Sequence, residues 1–200
     1  METAFVSEER FTRDQFHACA ESLPPDDRNR YELLDGRIAV TPPPGWPHSR
    51  LAMRIASRLL PHVEANRLGE VLESSAGYDL PSGDCAQPDL SFFSDATLQR
   101  GPRPVEGKSL AFAPDLVVEV LSPSTRRRDL TEKRAIYERN GVAEYWVVDP
   151  PARRVVIFVR EDGTSGDGLP GFAPGIAWES GPAPSRLFPG IALTPEQIFD

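Results

Sequence analysis

Pro114-Asp115-Leu116-Val117-Val118-Glu119-Val120-Leu121 is the stretch whose reading decides the fold. It is an almost unbroken run of leucine and β-branched residues, too short for a buried helix, which predicts an interior strand covered on both faces. Alternation puts Asp115, Val117, Glu119 and Leu121 on one face and Leu116, Val118 and Val120 on the other. Glu119 is thereby expected on a buried strand with no cation beside it in sequence. A second apolar run, Asp89 to Phe93, opens on Pro88-Asp89-Leu90 and should pair with the first inside one sheet. Two ionised carboxylates about 5 Å apart, at an effective dielectric of about 20, repel by roughly 3 kcal/mol. Such a pair calls for a cation or a shared proton, and a divalent metal is the first expectation.

Around these strands the pattern alternates between helix and sheet. Phe11 to Leu23 has loosely helical apolar spacing and ends at Pro24-Pro25. Tyr31 to Val40 alternates about Asp35-Gly36, the dipeptide favoured in a two-residue turn, and predicts a β-hairpin. His48 to about His62 reads as an amphipathic helix with Pro47 in its first turn and Pro61 as a kink or stop. Short strands are expected at Glu70 to Ser74 and Tyr78 to Leu80, and a polar loop at Gln99 to Ser109. Arg128 to Asn140 is helical, with Gly141 ending it. Glu144 to Asp149 and Arg154 to Val159 form a hairpin through Pro150-Pro151. A Gly/Pro-rich tail, Glu161 to Asp200, should lie loosely on the body, with a terminal helical turn capped by Thr194.

Composition limits the alternatives. The 200 residues, 40% apolar, suit one domain with a substantial core. No run approaches the roughly 20 apolar residues of a membrane span, and Met1 to Arg10 lacks the layout of a signal peptide, so the cytoplasm is expected. Cys19 and Cys85 form neither a disulfide framework nor a zinc motif by spacing and read as free thiols. A net charge of −8 argues against indiscriminate coating of nucleic acid but leaves room for a local basic groove. Lysine occurs only at Lys108 and Lys133.

The nuclease signature PD-(D/E)xK asks for a lysine two residues after its second acid, and here Leu121 stands in that place. Lys133, from the following helix, is the available substitute. Taken together, Tyr31-Glu32-Leu33-Leu34-Asp35-Gly36, Gln87-Pro88-Asp89-Leu90-Ser91-Phe92, the Pro114 to Ser124 block, Lys133-Arg134-Ala135-Ile136-Tyr137 and Glu144-Tyr145-Trp146-Val147-Val148-Asp149-Pro150 resemble the Uma-type family of endonucleases. That family belongs to the PD-(D/E)xK restriction-endonuclease-like superfamily, and the resemblance spans about Tyr31 to Arg160.

The resemblance implies an α/β fold with a restriction-endonuclease-like central mixed β-sheet flanked by helices. It implies an N-terminal helical extension (1–28), a nuclease domain (29–160) and a C-terminal tail on that domain (161–200). Asp89 matches the first acid, Glu119 the second, Lys133 the migrated lysine, and Glu32 the acid that completes the metal shell. Mg²⁺ or Mn²⁺ at Asp89, Glu119 and Glu32 would serve hydrolysis of DNA phosphodiester bonds, and a homodimer would supply two centres to a duplex. An inactive interaction module on the same fold, suggested by Leu121, and a hydrolase of small phosphorylated compounds are the rival readings.

Each residue also has a plainer role. Asp89 and Asp115 both follow proline and could be strand-entry residues, and Asp115 lies too near Glu119 on one strand to be the first acid. Glu32 could be an exposed hairpin acid, Lys133 a solvated partner of Asp129 four residues earlier, and Tyr137 a core residue. His48 heads its helix and could assist near the phosphate, though a helix-entry role suits it better. It lies fourteen residues from His62, about 21 Å along a helix at about 1.5 Å per residue, so the two cannot share a metal. Arg126-Arg127-Arg128 either meets phosphates or is a solvated run.

Overall fold

A computed structural model describes residues 5–163 and 170–200. In chain order the elements are β1 (Phe5–Val6), α1 (Arg13–Glu21), β2 (Arg30–Leu34), β3 (Arg37–Thr41), α2 (Trp46–Asn66), β4 (Gly69–Glu73), β5 (Tyr78–Asp79) and β6 (Cys85–Ala86). Next come β7 (Leu90–Ser94), α3 (Asp95–Arg100), β8 (Leu116–Val120), α4 (Arg126–Arg128), a π-turn (Asp129–Lys133) and α5 (Arg134–Arg139). The chain ends with β9 (Glu144–Asp149), β10 (Arg154–Glu161), β11 (Gly171–Phe172), β12 (Ile176–Trp178) and α6 (Pro195–Phe199).

The larger sheet runs β11-β10-β9-β8-β7-β4, with β12 also on β10. It is mixed, because β8 and β9 are parallel while β7 and β10 run against them. β8 lies inside it, and both its faces are covered as its sequence predicts. Leu116, Val118 and Val120 join a core with Leu51, Ile55, Leu59 and Val63 of α2. Val117, with Leu121 just beyond, faces Ile136 and Tyr137 of α5 and residues of a second sheet. Each such fully buried aliphatic side chain contributes about 1.5–3 kcal/mol by leaving water.

That second sheet, β1-β3-β2-β6-β5, is antiparallel and contains the expected hairpin. Asp35 and Gly36 both have positive φ, 48° and 76°, the geometry an Asp-Gly turn supplies. Where one central sheet is expected, the molecule thus has two, and the seam between them lies beside β8.

Local differences from the sequence reading have simple causes. Pro61 sits inside α2 and does not end it, because Leu59 and Val63 continue the buried face past it. α3 follows the expected strand directly and takes in the start of the expected polar loop; its Ser94 cap accepts from Thr97 N–H. The tail is not loosely attached. Phe188, Leu193 and Ile198 are fully buried in the α2 core, and β11 and β12 pair with β10. Positions 164–169 of that tail lie outside the described residues. Among the described residues no helix is long and apolar enough to cross a membrane.

Candidate active site

Antiparallel pairing of β7 with β8 sets Leu90 opposite Val118. One step further along the same register, Asp89 comes opposite Glu119, where side chains share a face about 5 Å apart. Val120 N–H donates to Asp89 Oδ2 at 2.7 Å, which fixes the carboxylate against β8. Arg30 Nη1 donates to Asp89 Oδ1 at 2.8 Å, and His48 Nε2 lies 3.0 Å from Oδ2. Arg30 and Glu32 alternate onto one face of β2, so the second sheet delivers both to the seam.

Lys133 is 2% exposed, buried rather than solvated. It leaves the π-turn between α4 and α5, and its Nζ pairs with Glu119 Oε1 and, at 3.0 Å, with Glu32 Oε1. Such turns often mark functional sites, because the extra residue redirects a side chain. Asp129 acts on the ammonium only through its charge. Gln87 N–H and Tyr137 Oη–H complete the set, donating to Glu32 Oε1 at 2.9 Å and Glu119 Oε1 at 2.8 Å.

The electrostatics divide the two acids. Burial opposes ionisation of Asp89, but His48, Arg30 and the Val120 N–H outweigh it and hold the carboxyl down at about 2. At Glu119 burial wins: with Asp89, Asp129 and Glu32 nearby it pushes the carboxyl up to about 8 despite Lys133. The ammonium has the opposite surroundings. Burial disfavours its charge, yet Glu119, Glu32 and Asp129 together raise Lys133 above its usual range, so it stays protonated. Glu32 is lowered, as Lys133, Arg30 and the Gln87 N–H overcome its burial.

Asp89, Glu119, Glu32 and Lys133 all line one open cavity of about 430 Å³, with Arg30, His48 and Arg128 on its walls. The geometry gives Glu32 to Lys133. Three possible ligand atoms lie within 4.8 Å of one another at His17, Asp79 and Cys85 among the described residues, and not at Glu32, Asp89 and Glu119. Asp115 has its plainer role, accepting from Ser94 N–H and the Thr97 hydroxyl at the start of α3. In the arginine run, Arg126 forms a two-bond pair with Asp149, Arg128 donates to Thr41 Oγ1, and Arg127 is exposed. Leu121 is core, and Lys133 puts an ammonium on Glu119 from another direction. Arg30 is missing from the sequence reading; its spacing of two from Glu32 on a strand is the signal that places it on the same face.

The chain belongs to the Uma2 family, described as "Putative restriction endonuclease", whose model matches residues 14–175. Its fold is that of the crystal structure of a "putative nuclease belonging to DUF820" from Anabaena variabilis ATCC 29413, with a TM-score of 0.72 and 20% identity. That match covers 94% of this chain and 97% of the other. No curated protein matches the sequence.

Proposed function

We propose that this protein is an endonuclease that hydrolyses DNA phosphodiester bonds with Mg²⁺ or Mn²⁺ held by Asp89 and Glu119. One observation carries the reading: a buried lysine is wedged between two acids beside Asp89, in a cavity open to solvent. The donor set fits a hard cation. Both ligands are carboxylates, and Mg²⁺ needs only one or two of them besides water and phosphate. Bound there, the ion would polarise the phosphodiester and make a water more acidic.

The residues themselves supply the rest. Lys133 has no free electron pair while protonated, so it is no general base; it offsets charge growing on the phosphoryl oxygens and orients the attacking water. Glu32 was the expected third ligand. We assign it instead to holding Lys133, with the Gln87 N–H donating to the same carboxylate oxygen. Arg30 and His48 keep Asp89 ionised and oriented, while Arg128 on the cavity wall can meet a phosphate. The cavity opens to solvent, as access of a polymer requires, and Lys133 answers the absence of lysine at position 121. A cytoplasmic homodimer, with two centres across a duplex, belongs to the same proposal.

Incubating supercoiled plasmid with the protein and Mg²⁺ or Mn²⁺ tests it. Nicking by the wild type, abolished in Asp89→Ala and Glu119→Ala, is the expected result. Equal nicking by all three would assign the cutting to a contaminant, and faster turnover of small phosphoesters than of DNA would overturn the substrate class.

A further inference from the structure

Away from the cavity, α1 packs on the smaller sheet through Phe16 against Leu33 and Cys85, and beside that contact His17 of α1 meets Asp79 on β5 and Cys85 on β6. His17 Nε2 lies 3.0 and 3.1 Å from the two Asp79 oxygens, and one ligand atom from each of the three residues lies within 4.8 Å of the others. Tetrahedral zinc, with bonds of about 2.0–2.3 Å, needs ligand atoms about 3.3–3.7 Å apart, so the His17–Asp79 pair would open slightly from 3.0 Å while the thiol stays within 4.8 Å of both. Cys85 is a free thiol and is buried.

A nucleophilic cysteine fits poorly. In a Cys–His–acid triad the imidazole separates thiol from carboxylate, whereas here Asp79 is next to both. Burial and Asp79 push the Cys85 thiol up to about 12, although Arg13 nearby works the other way. That is the wrong direction for an attacking sulfur. A cation that takes imidazole, carboxylate and thiolate together satisfies all three groups. The cleft of about 620 Å³ that His17 and Cys85 help to line leaves room for a water as fourth ligand.

We propose that His17, Asp79 and Cys85 form a second metal site, for Zn²⁺, that clasps α1 to the smaller sheet. The clasp braces the strand that serves the cavity, because Cys85 pairs with Leu33 of β2, the neighbour of Glu32.

The test is Co²⁺ added to metal-stripped, tag-free full-length protein, read as a thiolate-to-metal charge-transfer band and displaced by Zn²⁺. One equivalent should give the band in the wild type and in Asp89→Asn, which separates this site from the cavity. Cys85→Ala should abolish it. His17→Ala, at a partly exposed position on α1, should weaken Co²⁺ at least about tenfold and remove the rise in Tm that Zn²⁺ gives the wild type. Absence of the band from the wild type or Asp89→Asn, its survival in Cys85→Ala, or undiminished affinity in His17→Ala would overturn the site.

Discussion

Lys133 shows how a residue's surroundings decide its role. On a helix surface it would be one of many solvated cations; two acids and 2% exposure make it the fixed positive charge of the cavity. Lys133→Met leaves Glu32 and Glu119 unpaired, so urea unfolding in EDTA should show a loss of about 3–5 kcal/mol, smaller once Mg²⁺ is added. Cleavage should fall by about 10²–10³-fold. A stability loss below about 1 kcal/mol would make Lys133 a surface residue in effect.

Glu119 gives the pH dependence. Its carboxyl is raised in the fold, so its favourable contribution to the metal-free protein is present below the ordinary carboxylate range and lost as pH rises toward about 8. Asp89 has the opposite sign, stabilising above the ordinary range and losing that as pH falls toward about 2. In EDTA, Glu119→Gln should therefore gain on the wild type between about pH 5 and 8, by up to about 1.4 kcal/mol per pH unit. A pH-independent difference would refute the raised carboxyl. Strand alternation and the two Pro-Asp blocks made Asp89 and Glu119 legible in the sequence. The roles of Arg30 and Glu32 were not, because they depend on a second sheet meeting the first.

Among the elements, the tail departs most from its composition. Glycine and proline suggest loose packing, yet Glu144 at the start of β9 is a buried carboxylate that accepts from Trp146 Nε1–H, the Ser185 hydroxyl and the N–H groups of Arg186 and Leu187. These bonds tie the tail to the sheet. Glu144→Ala should destabilise by about 2–4 kcal/mol in urea unfolding and expose the segment after Trp178 to limited proteolysis. A change below about 0.5 kcal/mol would mean that Phe188 and its neighbours hold the tail without it. Periodicity revealed β8, α2 and the Asp35-Gly36 hairpin because each is long or has a turn with a defined chemistry. β6, two residues long, and the π-turn carry no periodic signal, since tertiary contacts alone create them.

For the whole molecule, a net charge of −8 coexists with a cavity walled by Arg30, Arg128 and Lys133. Acidic surface repels a polyanion except where those cations gather, so few counterions should be released on binding. The affinity for a short duplex should fall with log salt at a slope of about −2 to −4, and a slope near −8 would indicate binding across a broad basic surface instead. The fold class was legible from apolar runs alternating with helical patterns. The division into two sheets was not, because strand spacing does not say which strands become neighbours.

The central claim is that Asp89 and Glu119 share one divalent ion beside Lys133. Crystals soaked in Mn²⁺ and examined for anomalous scattering test it most directly. A single peak within about 2.0–2.3 Å of a carboxylate oxygen from each residue is the predicted result; no peak there, or a peak bound by only one of the two acids, would contradict it.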